Sequence, residues 1–145
     1  MKPLGRVGSA LLAGTLASVL AAACATAAPR AQEPGDTRLT LAPGQTSSVQ
    51  RPAAEGGAVR VRFDGVESDS RCPADAACIQ AGDAVVGITV TAAGGSPSRY
   101  ELHTTGATSV VHDGLTISLE GLEPRPAGSR PIRPADYRLT LRVRR

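Results

Sequence analysis

Between residues 37 and 144, apolar side chains recur at every second position in short runs. Arg38-Leu39-Thr40-Leu41 alternates and stops at Pro43-Gly44. Ala58-Val59-Arg60-Val61-Arg62-Phe63 puts Val59, Val61 and Phe63 on one face and two arginines on the other. Val85-Val86-Gly87-Ile88-Thr89-Val90 is denser and suits a more central strand. Tyr100-Glu101-Leu102-His103 alternates again, Thr108 to His112 is short, and Leu115-Thr116-Ile117-Ser118-Leu119 is regular. Tyr137-Arg138-Leu139-Thr140-Leu141-Arg142-Val143 is the most regular of all. Period-2 runs punctuated by Gly, Pro and Asp predict seven or eight short strands. No helical stripe interrupts them.

Strict alternation gives each sheet one apolar and one wet face, and two such sheets bury their apolar faces together. The expectation is an all-β, small antiparallel β-sandwich, immunoglobulin-like with Greek-key connections, with a small β-barrel as the alternative. Only Phe63, Tyr100 and Tyr137 are aromatic, so the core must come from Val, Leu, Ile and Ala. Two segments echo each other. Val61-Arg62-Phe63-Asp64-Gly65-Val66-Glu67 and Ile117-Ser118-Leu119-Glu120-Gly121-Leu122-Glu123 share the order apolar-x-apolar-acid-Gly-apolar-Glu. Each precedes a loop containing Pro and Arg, as two strand–loop–strand units about a pseudo-dyad would.

The first residues follow a different rule. Lys2 and Arg6 are basic, no charge occurs from Val7 to Pro29, and the run ends in small residues around Cys24. A basic start, a short apolar stretch and an A-x-A-like end mark a secretory signal peptide, and the strongly apolar part is shorter than the ~20 residues of a membrane span. Leu20-Ala21-Ala22-Ala23-Cys24 resembles the bacterial lipobox, departing from it at Ala21, where the pattern favours Leu. That likeness implies cleavage after Ala23 and a lipid on Cys24, hence a membrane partner and a place in the bacterial cell envelope. The alternative is cleavage after Ala25 or Ala27 and release to the periplasm or medium. The resulting organisation is signal 1–23, an Ala/Pro/Gly-rich tether 24–36 and a β domain 37–145.

Three cysteines are odd, but removing or acylating Cys24 leaves Cys72 and Cys78. In an oxidising envelope that pair reads as a disulfide. No C-x-x-C motif or second cysteine pair points to redox or zinc chemistry. Charge excludes little: the full chain is +3, and every cation beyond Lys2 is arginine. Seven arginines against one acid fall between Arg125 and Arg145, a stripe that reads chiefly as a solvated strand face and otherwise as a site for acidic polymers or surfaces. Nucleic acid is not an expected partner.

Asp69-Ser70-Arg71-Cys72-Pro73, then Cys78, then Ala81-Gly82-Asp83-Ala84 form a distinctive set. They resemble a domain of bacterial lipoproteins and secreted proteins of unknown function. That domain has a D-S-R-C-P turn, a second cysteine and an A-G-acid segment opening the next strand. The likeness covers roughly residues 37–144 and extends to Pro131-Ile132-Arg133-Pro134-Ala135-Asp136-Tyr137 before the last strand. The Trp that usually follows the second cysteine is replaced, since this chain reads Cys78-Ile79-Gln80. The resemblance implies an envelope location and a β fold, and no activity.

Candidate chemistry is sparse. No nucleophile-elbow motif surrounds Ser70, Ser109 or Ser118, and the two histidines, His103 and His112, could share a metal only if their strands were neighbours. The acids Asp64, Glu67, Asp69, Asp75 and Asp83 gather near the cysteines without EF-hand spacing. No catalytic residue, metal or cofactor is expected. Asp69, Arg71 and Asp75 make the candidate binding loop. Arg71 is either a structural ion pair with Asp69 or an arginine presented to a partner's acidic pocket. The expected function is a non-catalytic envelope lipoprotein or secreted binding domain, contacting an envelope protein, polymer or ligand. Alternatives are a hydrolase inhibitor acting through the Cys72–Cys78 loop, and a small enzyme built on the histidines.

Overall fold

The described residues form eight strands: β1 Asp36–Leu41, β2 Thr46–Val49, β3 Val59–Asp69, β4 Ala84–Ala92, β5 Ser98–His103, β6 Ser109–His112, β7 Leu115–Glu123 and β8 Arg138–Arg144. The computed structural model describes residues 35–128 and 130–145. The signal, Cys24 and tether residues up to 34 lie outside the described residues. Asp36, assigned by sequence to the tether, belongs to β1, where it pairs with Arg144 in register and with Arg142 through its carboxylate. β2 escaped the sequence reading because only Val49 in Thr46-Ser47-Ser48-Val49 is apolar and buried.

The strands make two antiparallel sheets, ordered β1-β8-β7-β6 and β2-β3-β4-β5. The sandwich is as expected, but its connectivity is a meander. Hairpin-linked strands stay neighbours within each sheet, so the Greek-key crossing of an immunoglobulin-like domain is not formed. The order is that of an up-and-down barrel left open at two seams, since no ladder joins β1 to β2 or β5 to β6. The four-residue strands β2 and β6 flank those seams and offer little backbone for pairing. Side chains bridge one seam instead: the Tyr100 hydroxyl lies 2.9 Å from His112 Nδ1.

The core is the set of inward positions from both sheets, including Leu41, Val61, Phe63, Val86, Ile88, Leu102, Ile117, Leu139 and Leu141. Both echo segments carry a β-bulge at the same motif position. Pairing of β3 with β4 skips Asp64 between Phe63 and Gly65, and pairing of β7 with β8 skips Glu120 between Leu119 and Gly121. A one-residue slip moves later side chains to the opposite face. Leu122 is therefore buried and Val66 packs on the core, although strict alternation from Phe63 and Leu119 would turn both outward. Each displaced acid meets a partner on the outer face: Thr89 Oγ1 donates to Asp64, and Arg38 Nε donates to Glu120. Read from β6, the first sheet runs β6-β7-β8-β1 and matches β2-β3-β4-β5 strand for strand. This places the connections after β3 and after β7 in equivalent positions.

Candidate functional site

Those two connections, residues 70–83 and 124–137, meet at one end of the sandwich. Ala74 N donates to Pro126 O at 2.8 Å, and Gly128 N donates to Asp75 Oδ1 at 2.7 Å. Cys72 and Cys78 form a disulfide with their Cα atoms 6.0 Å apart. Cys72 N donates to Ala81 O at 2.9 Å, so the small loop is closed by its backbone as well as by sulfur.

Beneath the loops lies an ion pair. Arg71 Nε donates to Asp69 Oδ1 at 2.9 Å and Nη2 to Asp69 Oδ2 at 2.7 Å, with only 10% and 9% of the two side chains exposed. The Arg71 backbone N–H also donates to Oδ1, so Asp69 caps the turn that the sequence indicated. The remaining guanidinium donors reach the second connection: Nη1 to Leu122 O, and Nη2 to Pro124 O at 2.9 Å. Tyr137 completes the cluster by donating its hydroxyl to Asp69 Oδ2 at 3.0 Å. Burial alone would raise the Asp69 carboxyl, but hydrogen bonds from Arg71 and Tyr137 outweigh it and hold the group below its ordinary range. Arg71 is thus the structural member of the two readings. Its planar fork grips one carboxylate and two carbonyls, leaving no guanidinium to present to a partner.

Asp83 organises the opposite wall. Ser70 N donates to Asp83 O at 2.7 Å, while the Asp83 carboxylate takes His103 Nδ1 at 2.6 Å, Thr104 Oγ1 at 2.9 Å and Thr105 N at 3.0 Å. Burial pushes this carboxyl up, and those hydrogen bonds, His103 foremost, drive it far below its ordinary value. Gly82 makes the approach possible. Its φ is +67°, and a Cβ there would lie 1.9 Å from Ser70 O. The sequence set from Asp69 to Asp83 therefore builds one scaffold with Tyr137, each polar group tying a neighbouring segment.

The other sequence candidates disperse. His103 closes β5 with its Nδ1 on Asp83, whereas His112 at the end of β6 meets the Tyr100 hydroxyl, so the two histidines have separate partners. The five acids have separate partners: Asp64 takes Thr89, Glu67 takes Arg99, Asp69 takes Arg71, Asp75 takes Gly128 and Asp83 takes His103. The arginine stripe divides as well. Arg142 and Arg144 pair with Asp36 on the outer sheet face, and Arg145 lies 3.5 Å from Glu55.

Sequence reasoning passed over two features of this end. Ile79, next to Cys78, is fully exposed on the disulfide loop, and with Val111 it makes up the exposed large apolar side chains of the described residues. Arg125 and Arg130 line an open groove of about 930 Å³ with Asp75, Pro131, Ile132 and Asp136. An aliphatic residue directly after Cys78 was the available signal for the first. Nothing in an arginine-rich stretch distinguished Arg125 and Arg130 from their paired neighbours. No family model, curated protein or solved structure matches the chain.

Proposed function

We propose that this chain is a non-catalytic domain of the bacterial cell envelope, held at the membrane by a lipid on Cys24. In this reading it docks another envelope protein through the end formed by residues 70–83 and 124–137. The observation that carries the proposal is Ile79, an aliphatic side chain exposed between the Cys72–Cys78 disulfide and the Cys72 N–Ala81 O hydrogen bond. An apolar anchor on a pre-ordered loop contributes to binding with little further loss of conformational freedom. The same observation favours a second reading, insertion of the loop into a hydrolase pocket. Such an insertion would lead with Ile79, because Arg71 is consumed beneath it.

The test places a photo-crosslinking residue at Ile79 and, as a control, at exposed Ser48 on β2 in the producing cell. A discrete adduct with one identified envelope protein from position 79 alone is the expected result. Labelling from neither position, together with turnover of a substrate by the purified chain, would overturn the proposal. Mass spectrometry of the mature N-terminus tests the anchor directly: an acylated Cys24 is expected, and a free start beyond it removes the tether.

A further inference from the structure

Most arginines among the described residues are occupied. Arg38, Arg51, Arg62, Arg71, Arg99, Arg133, Arg142, Arg144 and Arg145 face carboxylates, and Arg138 donates to Ala135 O and Tyr137 O. Among the described residues, three arginines have no such partner. Arg60 stands on the outer face of β3, while Arg125 and Arg130 share the groove beside the disulfide loop. The acids in that groove are already engaged: Asp75 accepts from Gly128 N, and Asp136 accepts from Arg133 Nε and Nη2 at 2.8 and 2.9 Å. Two guanidiniums are therefore left with open donor sets between walls of Pro124, Pro131 and Ile132.

We infer that this groove takes an extended acidic segment of the partner protein, its carboxylates on Arg125 and Arg130 and its intervening apolar side chains against the proline and isoleucine walls. The inference deepens the docking reading above and rests on it. Guanidinium forks match carboxylates in geometry, and such charge-assisted hydrogen bonds are about twice as strong as neutral ones. An open groove suits a chain crossing it better than a small enclosed molecule. Charge distribution favours a peptide over a dense polyanion or a lipid surface. An anion at every repeat would meet Asp75 and Asp136 as well as the two arginines, whereas isolated carboxylates spaced by apolar residues meet the arginines alone.

The experiment uses the oxidised chain purified from its producing host, and fluorescence anisotropy with a labelled peptide alternating Glu and Val. The expected result is saturable binding that weakens as salt rises, is absent for the Gln-Val peptide, and falls about tenfold in the double variant Arg125→Gln/Arg130→Gln. Both side chains are exposed and unpaired, so the variant's denaturation midpoint should match that of the parent. Equal binding of the Gln-Val peptide, no loss in the double variant, or tighter binding of polyphosphate or anionic phospholipid vesicles would each overturn the inference. Persistence of the Ile79 adduct alongside any of these outcomes would leave the docking reading intact and remove only its acidic segment.

Discussion

The Tyr137 hydroxyl donates to Asp69 Oδ2 at 3.0 Å, joining groups 68 residues apart. The bond fastens the start of β8 to the end of β3, and so one sheet to the other. The same carboxylate already holds Arg71, and Arg71 holds the carbonyls of Leu122 and Pro124. One half-buried acid therefore fixes both long connections.

Removing that acid should cost more than removing either of its partners' single bonds. Tyr137→Phe deletes one hydrogen bond and should cost about 1 kcal/mol. Asp69→Ala leaves the half-buried Arg71 without its carboxylate and should cost about 2–3 kcal/mol. Arg71→Lys should recover little of an Arg71→Ala loss, because a single ammonium cannot span the carboxylate and two carbonyls. Denaturant unfolding of the four variants checks the order.

Gly82 should be the least replaceable glycine of the loop end. An added Cβ would sit 1.9 Å from Ser70 O at a φ of +67°, so Gly82→Ala should cost about 3 kcal/mol or prevent folding. Gly44 has a φ of +78° but open space around its would-be Cβ, and Gly44→Ala should cost about 1 kcal/mol. Equal losses in thermal unfolding would show that the close approach does not matter.

The disulfide spans six residues, and a loop that short constrains the unfolded chain by only about 2–3 kcal/mol. Cys72→Ala/Cys78→Ala should lower stability by that amount while leaving a β-rich circular dichroism spectrum. Free thiols in protein isolated from its native compartment would count against the bridge.

Acid should weaken the protein through Asp83 and Asp69, whose folded-state values both lie below the ordinary carboxylate range of ~4. The folded chain then binds fewer protons than the unfolded chain in that range, so stability rises with pH. The contribution is complete above about pH 4 and is lost as pH falls toward the folded values. Urea midpoints measured from about pH 6 down to about pH 2 should fall. Asp83→Asn should begin less stable and show a shallower decline. A parallel decline in both proteins would remove Asp83 from the account.

Much of the fold was legible because burial on one sheet face writes a period of two into the chain. Leu139, Leu141 and Val143 announce β8 for that reason, and all three are buried. Where a strand lies at an edge with a single inward residue, as Val49 does in β2, that signal disappears. The echo around Asp64-Gly65 and Glu120-Gly121 was visible as a repeated order of residues. Its meaning as paired bulges needed the registers. Of the candidate loop residues, Asp69 and Arg71 proved to be neighbours of one half-buried cluster, and Asp75 a tie to Gly128.

The sequence by itself determined seven of the eight strands, the inward residues of their regular stretches and the pairing of Cys72 with Cys78, since these depend on local periodicity and on cysteine parity. Tertiary structure alone decided that β8 closes on β1, that Arg71 is spent inside while Ile79 stands outside, and which arginines lack a partner. Those outcomes turn on contacts between residues far apart in the chain. Two arginines of identical local character differ only in whether folding brings a carboxylate to one of them.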